Sequence, residues 1–165
     1  MSFEEKIKEI SGRYFDMITN DGINIVDLGL GIMQSLPIVT MALKKEKNTL
    51  NIIEQPELHL HPAAHGNIAE LLATACKDEE TIQYIIETHS ENFILRLRRL
   101  IAEGKISKEL LKIYWINYNE DKQHSGLKEI KVDDLGRVDY WPEGVFSESF
   151  EETKALRLAQ RKKQE

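Results

Sequence analysis

The 165 residues suffice for one domain with a real core, and their 41% hydrophobic and 30% charged content is that of an ordinary globular chain. No apolar run approaches the ~18 residues that a membrane-spanning helix needs. The net charge of -6 gives no global mark of a nucleic-acid binder, and the single cysteine, Cys76, excludes an internal disulfide and a multi-cysteine metal site and fits a cytoplasmic setting.

Phe3, Ile7, Ile10, Tyr14 and Ile18 recur at helical spacing, so the pattern predicts a helix over 3–19, weakened by Gly12. Asn20-Asp21-Gly22 signals a turn, and Ile23, Ile25 and Val26 read as a short strand. Gly29 and Gly31 precede a helix predicted from Ile32 to about Glu46. A glycine turn there leaves the first N–H groups open to an anion, and it also serves as plain punctuation. Pro37 implies either a short first turn or a kink. Leu50 to Glu54 is an apolar run ending in an acid, the pattern of a central strand buried on both faces. Pro62 suits the first position of the next helix, which runs to about Lys77 with Ile68, Leu71, Leu72 and Ala75 inward. Thr81 to Thr88 is the following strand. The β–α–β order makes the two strands parallel and brings Glu54 and His89 to the same edge of the sheet.

Ser90 is placed to cap a helix from Glu91 to about Glu103, which Gly104 stops. A short helix over Ser107 to Leu111 follows. Ile113 to Tyr118 and Leu127 to Val132 then form a hairpin through 119–126. Asp133 to Gly136 is a turn, and Trp141-Pro142-Glu143-Gly144 opens a loop before a last charged helix, about Phe150 to Arg161. The expected fold is α/β, a mainly parallel sheet with flanking helices plus a small hairpin-containing C-terminal piece, divided as residues 1–106 and 107–165.

A buried strand ending in carboxylate and amide, beside a strand ending in histidine, suits a phosphate-and-magnesium site. Glu54 would hold the ion. The Gln55 amide would orient a water, from which it cannot take a proton, and His89 would donate to a phosphate. His59, His61 and His65 first suggest a transition metal. They lack cysteine partners and any HExxH spacing, so shaping the loop or a subunit contact is the preferred reading.

Together these residues resemble the ABC-type ATPases, in the branch of OLD-like and RecF/SMC-like predicted bacterial ATPases. Residues 27–37, DLGLGIMQSLP, look like that branch's signature motif. Residues 52–62, IIEQPELHLHP, look like its Walker B motif and D-loop, and 86–90, IETHS, like its switch-histidine motif. Residues 138–146, VDYWPEGVF, resemble a small C-terminal domain of unknown function found in one subgroup. The resemblance implies that Glu54 is the magnesium acid, that Gln55 stands at the catalytic-carboxylate position with Glu57 nearby, and that His89 is the switch histidine. It also implies that Gly29, Gly31 and Gln34 belong to the loop that covers the nucleotide held by an opposite subunit.

Two departures stand out. Gln55 replaces the usual acid, and Gly29 replaces the signature serine. A larger one is that no GxxxxGK[ST] phosphate loop occurs in the 165 residues. The resemblance therefore implies the C-terminal half of an ATPase, either a split subunit or a truncated product. Such a half binds ATP and Mg2+ only with a P-loop-containing half or subunit, within a homo- or hetero-oligomer. Relatives work in DNA repair or anti-phage defence, often beside a nuclease, which makes a nuclease and DNA the expected wider partners and a membrane none. The alternative is a non-catalytic regulatory or scaffold subunit derived from such an ATPase.

Overall fold

A computed structural model of the chain describes residues 6–9, 15–18, 22–79, 81–119 and 123–162. It forms two compact units, Met1–Leu100 and Ile101–Glu165.

The first unit opens with an antiparallel pair, β1 (Lys6–Glu9) and β2 (Phe15–Ile18), in the register Ile7↔Met17. This corrects the helix expected over 3–19, part of which lies outside the described residues. A glycine inside a helix costs about 1 kcal/mol, and strand pairing gives the backbone another way to satisfy its donors. The strand expected at Ile23–Val26 is also replaced. A 3-10 turn covers Ile25–Leu28 and opens with the Asp27 N–H donating to the Asn24 carbonyl at 2.9 Å.

Helix α1 (Leu30–Lys44) runs through Pro37 without a break and ends where Lys45 takes a left-handed φ of 47°. Strand β3 (Thr49–Glu54), helix α2 (Pro62–Asp78) and strand β4 (Ile82–Glu87) form the expected crossover, with β3 and β4 parallel. Pro62 does open α2, where its missing N–H would have had no partner. At the amino edge of the sheet the two loops are tied together. Lys45 pairs with Asp78 at 2.6 Å, Lys47 pairs with Glu79 at 3.1 Å, and the Asn48 N–H donates to Thr81 Oγ1 at 3.0 Å. The Thr81 hydroxyl and then Lys47 hold the Glu79 carboxyl below its usual value.

Ser90 caps α3 (Glu91–Ala102), its Oγ accepting the Phe93 N–H at 3.1 Å. Ala42, Ile68, Ala69, Leu72, Ala75, Ile82, Phe93, Leu97 and Leu100 form this unit's buried core.

Burial alternates along β3 and β4, against the expectation of a strand covered on both sides. Thr49, Asn51, Ile82 and Tyr84 face α1 across a cavity of about 510 Å³. On the other face Leu50 is 58%, Ile52 71% and Ile85 57% exposed. The run is apolar on both faces, as predicted, but the helices cover only one of them.

In the second unit, Ser107 caps a 3-10 turn at Lys108–Leu110. Strands β5 (Ile113–Asn119) and β6 (His124–Ile130) make an antiparallel hairpin with Ile116 opposite Leu127. Ile101, Ile106, Ile113 and Ile130 are its buried apolar residues. Asp133 organises the next turn by accepting the Leu135 and Arg137 N–H groups at 2.9 and 2.8 Å, and these bonds, Arg137's first, keep its carboxyl below the usual value. The Trp141 Nε1–H donates to the Val145 carbonyl at 2.9 Å, closing the loop that precedes α4 (Glu148–Lys162). The architecture is α/β: a small parallel sheet with flanking helices and a small antiparallel hairpin. Among the described residues no helix is long and apolar enough to cross a membrane.

Candidate active site at the carboxyl edge of the parallel sheet

In-register pairing puts Glu54 directly opposite Glu87, so two exposed carboxylates end neighbouring strands on one edge. The Gln55 N–H extends the pairing by donating to the Glu87 carbonyl at 2.8 Å. Gln55 then turns the chain with a φ of 46°, a left-handed conformation that non-glycine residues adopt at a cost of about 1–3 kcal/mol. Pro56 is buried. Two tight turns follow, Leu58 N–H to the Gln55 carbonyl at 2.9 Å and Leu60 N–H to the Glu57 carbonyl at 3.0 Å. His89 lies just past β4, its side chain 75% exposed and its Nε2 3.7 Å from a Glu87 carboxylate oxygen. Glu54, Gln55 and His89 are thus brought to one edge, as the strand order predicts.

Glu57 sits differently from those three. It is 7% exposed. Its Oε1 accepts both the Thr88 hydroxyl at 2.7 Å and the His89 N–H at 2.9 Å. Its Oε2 is buried and has no hydrogen-bond partner among the described residues.

The other histidines have local duties. His61 Nδ1 accepts the Ala63 N–H at 3.2 Å and so caps α2. His65 Nε2 lies 3.1 Å from the Leu60 carbonyl and Nδ1 2.7 Å from Ser90 Oγ. A carbonyl only accepts, so Nε2 carries the proton, and in the neutral ring Nδ1 accepts from the Ser90 hydroxyl. These two side chains shape the loop. His59 is exposed, at a φ of 61°. Among the described residues no three His, Cys, Asp or Glu side chains group to hold a metal ion.

Gly29, Gly31 and Gln34 lie at the start of α1, with Gly29 as its N-cap at φ 96° and Gln34 exposed. The two glycines are needed for different reasons. A Cβ on Gly29 would meet open space, so only its dihedral demands glycine. A Cβ on Gly31 would lie 2.5 Å from the His59 carbonyl oxygen and 3.2 Å from Leu60 Cδ2. The start of α1 therefore rests on the 55–60 turn. Gly31→Ala is expected to destabilise the first unit by about 1–3 kcal/mol in urea denaturation, because the obstacle is backbone and cannot rotate away.

Sequence reasoning gave no role to Glu87, Thr88 or Ser90 beyond motif and cap, and none to the His65–Ser90 contact. Parallel register alone would have set Glu87 against Glu54. The side-chain contacts had no local signal, since they join residues 25 to 32 positions apart.

Residues 2–94 match the AAA ATPase domain family, and residues 106–156 match a protein family of unknown function (DUF3696). The Old nuclease of Escherichia phage P2 is 44% identical over 50 residues, which are 30% of this chain and 8% of that protein. The chain thus aligns with only a small part of that relative's length. No solved structure matches it. The first match covers more than half of the residues and includes the whole carboxyl edge from Glu54 to His89, and the chain belongs to the AAA ATPase domain family.

Proposed function

We propose that this chain is the signature, Walker B and switch-histidine part of an ABC-type ATPase of the OLD-like branch, and that it binds and hydrolyses ATP once a P-loop-bearing half completes it. The observation that carries this reading is the shared edge: Glu54, Gln55 and His89 at the carboxyl ends of adjacent parallel strands, where open α/β sheets bind ligands.

The donor set fits part of a magnesium nucleotide site. Glu54 and Glu87 offer exposed carboxylate oxygens, the hard donors that Mg2+ prefers, and a Mg2+ site of this kind takes its other oxygens from water and phosphate. When bound, the ion neutralises charge on the phosphates. Within this chain, Glu54 would hold the ion and Gln55 would orient water through its amide. His89 donates to a phosphate oxygen, and the open N–H groups after Gly29 face an anion across a dimer. The cradle for the β- and γ-phosphates is absent from the sequence, so it belongs to another polypeptide or another part of a longer one.

The bare sheet face supports the same reading. Leu50, Ile52 and Ile85 form an exposed apolar patch on the sheet, the kind of surface that a partner covers. The partner is a P-loop-bearing half, within a homo- or hetero-oligomer. The similarity to Old nuclease supports a nuclease as a wider partner; DNA, and a setting in repair or anti-phage defence, are carried over from the motif resemblance alone.

Calorimetry with MgATP tests this on the chain alone and with any P-loop-bearing protein found to co-purify with it. The expected result is no binding alone and binding with the partner. Tight binding by the chain alone would overturn the reading. Gln55 favours a second one: with no proton-accepting side chain at that position, the complex is an ATP-locked scaffold that docks without turnover.

A further inference from the structure

We infer that Glu57 is a positioning residue that fixes His89 by its backbone and so ties the switch histidine to the 55–60 turn. The role assigned to His89 rests on the nucleotide reading above; the tether itself rests on geometry alone.

Three features carry the inference. Glu57 is withdrawn from solvent at 7% exposure, so it is poorly placed to meet a substrate at the open edge where Glu54 and His89 stand. One of its oxygens takes both bonds, from the Thr88 hydroxyl at 2.7 Å and the His89 N–H at 2.9 Å. Two bonds converging on one oxygen fix both the Thr88 side chain and the His89 backbone to the same point. The Thr88 hydroxyl passes the constraint on by accepting the Ser90 N–H at 3.1 Å.

A second link runs in parallel. The Leu60 carbonyl meets His65, and His65 meets Ser90, the residue that caps α3. The 55–60 turn therefore grips the 88–90 segment at two points. On its other side, the same turn bears on Gly31 through the His59 carbonyl, which is too close to allow a Cβ. A displacement of the first turn of α1 must push on this turn, and Glu57 carries that displacement to the His89 backbone.

Amide hydrogen exchange followed by NMR on the 165-residue chain tests the tether. In Glu57→Ala the His89 amide is expected to exchange roughly 10- to 100-fold faster, the effect of leaving one part-buried donor without its acceptor, while the β3–β4 amides keep their rates. Glu57→Gln retains an acceptor oxygen in the same place and is expected to restore most of the protection. Should the alanine variant not fold, Glu57→Asp gives the same readout by shortening the reach by one methylene. Unchanged His89 exchange in the alanine and aspartate variants would overturn the inference. So would an acceleration shared equally by β4 and α3, because it would mark Glu57 as a general support of the fold. Failure of the nucleotide reading would show up separately, as absent MgATP binding even with a P-loop-bearing partner present, while the His89 amide is still protected by Glu57.

Discussion

Replacing Phe93 with alanine is expected to lower the stability of this chain by about 3–5 kcal/mol in urea unfolding, the range for truncating a buried aromatic ring. Phe93 is 1% exposed and, with Leu72 and Leu100, is among the largest side chains that are fully enclosed. It also sits where the fold is most committed. Its N–H is bound by Ser90 Oγ, so the ring anchors the first turn of α3 at the point where the chain leaves β4. A small domain has only about 5–15 kcal/mol of stability to lose, so the variant should unfold well below the denaturant concentration that the parent withstands. Leu95 lies two residues along the same helix but is 43% exposed. Its alanine variant should change stability little, which separates loss of the core from loss of helix propensity.

The positions of these elements were legible wherever the signal was local. Pro62 at the start of α2, Ser90 as a cap and Gly104 at a φ of 67° after α3 each mark a boundary by their own chemistry. The parallel pairing of β3 and β4 followed from the length of their crossover, and with it the common edge of Glu54 and His89. The misreadings arose where periodicity stood alone. Apolar residues three to four apart over 3–19 gave a helix, whereas Lys6–Glu9 and Phe15–Ile18 pair as strands. Leu50 and Ile52 read as buried because they are apolar, yet both are exposed. A sequence records that a residue prefers cover, and the cover can come from another polypeptide. The Glu57 contacts were illegible for a third reason. Its bonds reach Thr88 and His89 across 31 and 32 positions, and nothing in the Gln55-Pro56-Glu57 stretch reveals that the acid turns inward.

Glu54→Gln is expected to reduce MgATP turnover of the completed ATPase by on the order of a hundredfold or more, the scale seen when one preorganised group is removed from a site of developing charge. The same change should leave the fold intact. Glu54 is exposed and stands opposite Glu87, and like charges facing each other across a sheet are mildly destabilising, so removing one should change stability by only about 0.5 kcal/mol and in the favourable direction. Lost turnover with unchanged or slightly raised unfolding midpoint is the signature of an acid placed for chemistry. The partner supplies the control. If docking uses the bare face that carries Leu50, Ile52 and Ile85, as proposed, Glu54→Gln should still associate, because the substitution keeps the size of the side chain. A parent complex that associates without turning ATP over would identify Gln55, which cannot accept a proton, as the feature that sets the activity of this chain. Glu54 would then hold a nucleotide that locks the assembly together, and loss of ATP-dependent association would replace loss of turnover as the measured effect.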